Sequence, residues 1–304
     1  MNIQDFPLPK KVKDKLRKAG LESFEYIALT PAFILEGLEL EGEKVWKTVE
    51  NNLQTEKNYN FITALEHYKT YRLKIRYFTT GCCGLDGLLG GGVETGAITE
   101  FVGEFATGKT QIAHQLAVTV QLPLKKKGLN AKAIFIDTEG TFRPERIIQI
   151  AEYRGLNPEK TLKNILYARA YTSEELLFFI YKALLYLENN VGLVVIDTLT
   201  SLNIEILSKE KRAAYESLII YMMLRLLEAA LAKKVAIVIT NRGFMRGENF
   251  WVIGDPQISM LSSLRVHLEK QPGGAWTAKT LYSPHGKRRV CRFRITEKGL
   301  EDLA

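Results

Sequence analysis

The sequence predicts an α/β fold: a mostly parallel sheet flanked by helices, with a small helical domain before it. Continuous apolar runs at 133–137, 193–197 and 235–240 are typical of strands buried on both faces, and helical patterns at 174–187 and 213–232 separate them. A strand at 98–102 runs into a glycine-rich turn and then a helix, which is a second mark of this class. Three later strands, near 264–269, 275–282 and 290–295, follow without helices between them.

The chain divides into three predicted parts. Residues 1–50 form a small helical domain with a degenerate helix-hairpin-helix, in which Val12 and Leu16 share one helix face. Residues 51–76 are polar and read as a linker, and the core occupies 77–304. The first helix carries Lys10, Lys11, Lys13, Lys15, Arg17 and Lys18. Such a helix is either a solvated face or a DNA phosphate contact, and the pattern leaves both open.

Composition excludes several classes of protein. The 304 residues are 46% hydrophobic and 25% charged, as in ordinary globular domains, and no apolar run could span a bilayer. Three cysteines make neither a disulfide framework nor a zinc site, and the N-terminus lacks a signal-peptide pattern, so we expect a cytoplasmic protein. A net charge of +8 suits a polyanionic partner.

The glycine-rich turn fits the phosphate-binding pattern G-x-x-x-x-G-K-[ST] without a mismatch. Its residues are Gly103, Glu104, Phe105, Ala106, Thr107, Gly108, Lys109 and Thr110. Backbone N–H groups of such a loop converge on phosphate oxygens, and the helix N-terminus adds partial positive charge. We expect Lys109 to reach the β- and γ-phosphates of ATP, and the Thr110 hydroxyl to ligate Mg²⁺.

Two carboxylates follow strands that end at the same edge of the sheet. Asp197 is placed to hold Mg²⁺ together with Thr110, and Glu139 to position or activate the attacking water. The alternative for each is a surface carboxylate that ends a strand.

Longer strings carry a family resemblance. The segments 85–99 (LDGLLGGGVETGAIT), 136–147 (IDTEGTFRPERI) and 293–302 (FRITEKGLED), and the phosphate loop with Gln111, are similar to those of the RadA branch of the RecA-type recombinases. These are the archaeal and eukaryotic strand-exchange ATPases. The resemblance covers almost the whole chain and implies a RecA-like phosphate-loop ATPase core.

The resemblance implies roles in the nucleotide site. Glu139 falls on the family's catalytic glutamate, and Arg146 on the arginine that stacks on adenine. Asn241 falls on an asparagine that precedes a sensor glutamine, and that glutamine is Arg242 here. The implied catalytic set is therefore Lys109, Glu139, Asn241 and Arg242. The implied cofactor-binding set adds Gln111, Arg146 and Lys287 to the phosphate loop.

Lys287 lies where the family has a cap that reaches a neighbouring subunit's nucleotide. There it would act in trans on the charge of the γ-phosphate, or it is a solvated basic turn.

The resemblance also implies partners. Phe61 and Ala64 match a Phe-x-x-Ala motif by which one subunit docks on the next, head to tail, so the contact can build a filament. The expected DNA-binding residues are Lys209, Lys211 and Arg212 in a first loop and Arg246 in a second.

We therefore expect an ATP- and Mg²⁺-dependent recombinase that binds single- and double-stranded DNA and self-associates or binds a related recombinase subunit, with no membrane partner. Departures in both DNA loops leave an alternative: a diverged paralogue that binds ATP and regulates a recombinase. A phosphate-loop ATPase acting on another polymer is a third hypothesis.

Overall fold

The computed structural model describes residues 8–19, 21, 27, 40, 45, 62–200, 209–247, 249–253, 259–284, 286 and 288–303; for residues 209–216 and 249 it describes the backbone alone. The chain forms two compact units, Met1–Arg72 and Leu73–Ala304.

The described strands are β1 (Tyr77–Phe78), β2 (Val93–Glu94), β3 (Ile98–Gly103), β4 (Lys132–Asp137), β5 (Ile165–Arg169), β6 (Val191–Asp197), β7 (Ala236–Arg246), β8 (Asn249–Val252), β9 (Leu264–Gln271), β10 (Ala275–Tyr282), β11 (Val290–Thr296) and β12 (Gly299–Asp302). The described helices are α1 (Lys10–Lys18), α2 (Ala64–Thr70), α3 (Cys83–Leu89), α4 (Lys109–Thr119), α5 (Pro144–Tyr153), α6 (Pro158–Lys163), α7 (Ser173–Tyr186) and α8 (Lys209–Lys233).

The first unit contains α1 and α2 among its described elements. In α1 Leu16 is fully buried, whereas most of its lysines are exposed. Helix α2 lies inside the segment 51–76 that the sequence analysis assigns to a linker. The Thr63 side chain caps α2 by accepting a hydrogen bond from the Glu66 backbone N–H at 3.1 Å. The polar composition of the segment does not reveal such a cap. Residues 62–72 are all exposed, so α2 contains no buried residue.

The second unit is built on one large sheet. Its strand order is β12-β11-β10-β9-β3-β7-β6-β4-β5, with β8 beside β7. The block from β9 to β5 is parallel, and the pairs β9–β10, β10–β11 and β11–β12 are antiparallel. This architecture confirms the predicted α/β class and the mostly parallel sheet.

Helices cover both faces of the parallel block, which explains its continuous apolar strands. Along β6, Leu193 and Val195 pack into one core with Ile112 of α4, while Val194 and Ile196 pack into a second core with α7 and α8. Alternate side chains point to opposite faces of a strand, so every position of β6 is buried.

Candidate nucleotide site

The phosphate loop lies between β3 and α4, and a side chain at either of two of its glycines would clash or strain the backbone. A Cβ at Gly103 would come within 2.7 Å of the Leu268 carbonyl oxygen. Gly108 caps α4 at φ +89°, a left-handed conformation that side chains disfavour, and a Cβ there would meet Ile295 at 2.6 Å. The loop borders a cavity of about 340 Å³, which Lys109, Thr110, Glu139 and Arg242 also line.

Lys109 is buried and bonded to its own loop. Its Nζ donates to the carbonyl oxygens of Gly103 at 2.9 Å and Glu104 at 2.7 Å. Burial lowers the pKa of Lys109, and the nearby carboxylates of Glu139 and Asp197 oppose that change. An incoming phosphate would give this ammonium a stronger partner than two neutral carbonyls.

Thr110, which lines the cavity, pairs with the buried Asp197. The Thr110 hydroxyl is hydrogen-bonded to the carboxylate of Asp197, which is fully buried at the carboxyl end of β6. Burial raises the pKa of Asp197 to about 6. A hydroxyl and a buried carboxylate suit Mg²⁺, which prefers oxygen ligands, so these residues fit the ion predicted here.

Glu139 lies beyond β4 and is held from two sides. Its Oε1 accepts hydrogen bonds from the Thr198 hydroxyl and from Arg242 Nε, both at 2.9 Å. Arg242 reaches it because β7 pairs in parallel with β3, with Arg242 opposite Gly103. Glu139 and Arg242 are thus brought together at the mouth of the phosphate loop.

Asp137, which the sequence analysis did not single out, shapes the loop that carries Glu139. Its Oδ1 accepts from the backbone N–H groups of Glu139 at 2.9 Å and Gly140 at 2.7 Å, and its Oδ2 from that of Phe142 at 3.1 Å. The Tyr167 hydroxyl donates to the same carboxylate at 3.2 Å. The available signal was an aspartate ending a buried strand just before a Thr-Glu-Gly turn.

His114 is the second residue that the sequence analysis missed. It is fully buried on α4; its Nδ1 lies 2.7 Å from the Thr110 carbonyl oxygen, and its Nε2 accepts from the Arg143 backbone N–H at 3.0 Å. Its ring stacks on Phe142 at 5.2 Å between centroids. His114 therefore links the first turn of the phosphate-loop helix to the loop of Glu139. Nothing in its sequence context marks a histidine as such a link.

Asn241 and Arg146 are not among the residues that line the cavity, but each contacts an element that does. Asn241 is buried, and its Nδ2 donates to Glu100 Oε1 at 3.2 Å and to the Ile253 carbonyl at 2.9 Å, so it anchors the strand that carries Arg242. Arg146 donates from Nε to Gln111 Oε1 at 2.8 Å and from Nη2 to the Thr296 carbonyl at 2.6 Å. Among the described residues, the arginines that line the cavity are Arg143 and Arg242, so Arg146 meets the site through Gln111.

The expected second DNA loop is largely a β-hairpin, which is a difference from the prediction. Strand β7 continues to Arg246, and β8 returns antiparallel to it. Phe244 pairs directly with Trp251, and both side chains are about half exposed (46% and 52%). On the opposite side, Phe250 stacks on His267 at 3.8 Å, which holds the hairpin against β9. The aromatic residues Phe244, Phe250 and Trp251 favour this extended pairing over a loop.

Other predicted residues fall outside the described part of the chain. These are Phe61, Lys287 and the side chains of Lys209, Lys211 and Arg212. Ala64 is the exposed first residue of α2. None of the helices described is long and apolar enough to cross a membrane.

A parallel sheet with a phosphate loop, a hydroxyl bonded to a buried carboxylate and a glutamate at one edge defines the class of phosphate-loop nucleotide hydrolases. The Rad51 family model matches residues 71–303, and the chain belongs to that family. It is 37% identical over 310 residues to the DNA repair and recombination protein RadA of Aeropyrum pernix, with 99% of this chain and 97% of that protein covered.

Proposed function

We propose that this chain is a DNA-dependent ATPase of homologous recombination and DNA repair, which assembles head to tail on single-stranded DNA and exchanges strands with a duplex. The observation that carries the proposal is the convergence of Lys109, Thr110 and Glu139 on one cavity, with the buried Asp197 hydrogen-bonded to Thr110. Near full-length similarity to a recombination protein supports strand exchange over the regulatory paralogue.

The site suggests how ATP would be bound and cleaved. Lys109 would exchange its two loop carbonyls for phosphate oxygens, and Thr110 and Asp197 would hold Mg²⁺. That ion, when bound, neutralises phosphate charge. Glu139 would orient a water molecule and take its proton as the water oxygen bonds to the γ-phosphorus and the bond to the bridging oxygen breaks, leaving ADP.

The first test is nucleotide affinity. Lys109→Ala should weaken binding of ATP by at least about tenfold, since it removes the charged donor of the loop. The exposed Lys125→Ala, which makes the same change of charge on the surface, is the matched control. Wild-type affinity in Lys109→Ala would remove the basis of the assignment.

The second test is strand exchange between single-stranded DNA and a homologous duplex, with and without ATP. We expect strand-exchange product when ATP is present, without any second recombinase. We also expect Glu139→Gln to lose ATP hydrolysis. Product that forms only when a second recombinase is added would support the regulatory paralogue instead.

A further inference from the structure

The loop that carries Glu139 is held by a single buried carboxylate, that of Asp137. Its two oxygens accept hydrogen bonds from four consecutive backbone N–H groups, those of Glu139, Gly140, Thr141 and Phe142. The distances are 2.9, 2.7, 3.3 and 3.1 Å in that order. Because four N–H groups share one carboxylate, a rotation of that carboxylate would move the whole loop, and with it the point from which the Glu139 side chain starts.

Tyr167 contacts this arrangement at two points. It lies on β5, next to β4, and its hydroxyl donates to Asp137 Oδ2 at 3.2 Å. Its ring stacks on that of Phe142, with 4.7 Å between the centroids and 29° between the planes. Burial and the nearby charge of Asp137 raise the pKa of Tyr167, so the hydroxyl keeps the proton that it donates. Tyr167 therefore fixes both the carboxylate and one end of the loop that the carboxylate holds.

The donors to the two carboxylate oxygens of Asp137 belong to different parts of the fold. Oδ1 also pairs with Arg169 Nη1 at 3.2 Å, and this guanidinium balances the buried charge. Among the described residues, the donors to Oδ2 are the Phe142 backbone N–H and the Tyr167 hydroxyl. The first belongs to the loop itself, whereas the second belongs to a strand of the sheet. The hydroxyl is thus the contact that fixes Oδ2 from outside the loop.

We propose that Tyr167 is a positioning residue for ATP hydrolysis: it fixes the Asp137 carboxylate, and through it the place of Glu139 beside the γ-phosphate. This inference rests on the ATP site and the base proposed above. The Tyr167 side chain is 47% exposed and is not among the residues that line the nucleotide cavity, whereas Glu139 is one of them. Tyr167 should therefore affect the rate of the chemical step and not the binding of ATP.

Two substitutions separate the two contacts of Tyr167. Tyr167→Phe keeps the ring on Phe142 and removes the hydroxyl, and it should lower kcat about three- to tenfold. Tyr167→Leu removes both contacts and should lower kcat by about thirtyfold or more. The KM for ATP should stay within about twofold of the wild-type value in both variants, because no group that lines the cavity changes.

The experiment measures ATP hydrolysis by the full chain with Mg²⁺ and a fixed concentration of single-stranded DNA. Steady-state rates give kcat and KM, and single-turnover rates with excess protein give the residual rates of slow variants. Tyr186, the last residue of α7, is the matched control, since its side chain is 48% exposed. Tyr186→Phe and Tyr186→Leu should hydrolyse ATP as the wild type does.

The Glu139→Gln background tests whether Tyr167 acts through the base. In that background Tyr167→Phe should lower the residual single-turnover rate by less than about twofold, because the group that Tyr167 positions is already gone. A general effect on folding or on assembly would lower the rate in both backgrounds.

Three results would overturn the proposal. Wild-type kcat in Tyr167→Phe would show that the hydroxyl does not contribute to hydrolysis. A raised KM at unchanged kcat would mean a role in binding. A full loss that persists in the Glu139→Gln background would mean a purely structural role. If Tyr167→Leu fails to fold, Tyr167→Phe alone decides. Failure of the proposed ATP site is recognised separately, because Glu139→Gln would then hydrolyse ATP at the wild-type rate.

Discussion

At the scale of single residues, the site depends on one neutral histidine. The Arg143 backbone N–H donates to Nε2 of His114, so Nδ1 must carry the proton and donate to the Thr110 carbonyl. A second proton on Nε2 would remove the acceptor for Arg143. Burial lowers the pKa of His114 to about 4.

This gives a dependence of stability on pH. The pKa of His114 in the folded protein lies below the unfolded value of 6.5. Between pH 6.5 and 4 the unfolded chain therefore binds an extra proton, and the free energy of unfolding decreases as the pH is lowered. His114 should account for a loss of roughly 1.5 kcal/mol between pH 6.5 and 5. Urea unfolding of wild type and His114→Gln at several pH values measures it. Equal slopes in the two proteins would contradict the prediction.

Residue motifs locate the phosphate loop between a strand and a helix because its chemistry needs particular residues at fixed spacing. Lys109 and Thr110 could be assigned in this way before the fold was known. Asp137 and His114 could not, since their roles arise only when α4 and the segment after β4 meet in space. The Arg242–Glu139 pair likewise depends on the register of β3 against β7.

At the scale of elements, Asp302 of β12 caps the N-terminus of α3. Asp302 accepts from the backbone N–H groups of Cys83 at 2.8 Å and Gly84 at 2.6 Å, and so satisfies the N-terminus of α3 from a distant part of the chain. The Cys82 thiol contacts the same carboxylate at 3.1 Å, and burial raises the pKa of Cys82 to about 12.

Removing this cap should destabilise the core. We expect Asp302→Ala to lower the free energy of unfolding by about 1–2 kcal/mol, because two helix N–H groups lose their acceptor. Denaturant unfolding measures it, with the exposed Glu297→Ala as a control for charge and side-chain loss. The same loss in both variants would refute a capping role.

The β7–β8 hairpin carries a prediction about DNA. Phe244 and Trp251 lie opposite each other with Arg246 on the same face of β7, an arrangement suited to stacking bases and pairing phosphate. Trp251→Ala should weaken single-stranded DNA binding by about 1–3 kcal/mol. Fluorescence anisotropy measures it at fixed salt.

Arg246→Ala should weaken binding too, and should reduce the slope of log affinity against log salt by about 0.7. The exposed Tyr153→Ala, on α5 and outside the hairpin, is a matched aromatic control for Trp251→Ala. Unchanged affinity in Trp251→Ala would place the DNA elsewhere.

Strong local sequence patterns predicted most helices and strands, whereas elements with weak patterns were missed. The buried strands β3, β4, β6 and β7 were predictable because continuous apolar runs have few alternatives. Helix α2 and strand β8 were not, since each is short and lies in a segment assigned by composition or by likeness to a loop.

At the scale of the whole molecule, assembly is the main prediction. Phe61 should insert into an apolar surface of a neighbouring copy, as an aromatic anchor in a polar segment does. Phe61→Glu should shift the protein from large oligomers toward monomers in light scattering after size exclusion. Leu73→Glu, which adds the same charge at another exposed apolar residue, is the control. An unchanged size distribution in Phe61→Glu would exclude this docking.

The tie between Asp302 and α3 also has a consequence for how the protein is made. Residues 82–84 leave the ribosome more than two hundred residues before their partner does, as the sequence separation of 220 between Cys82 and Asp302 shows. At a synthesis rate of about 5–20 residues per second, Asp302 emerges on the order of ten seconds or more after the residues of α3 that it caps. The ATPase core therefore matures late in synthesis, and a chain stalled before residue 302 would present an incomplete sheet edge to chaperones and proteases.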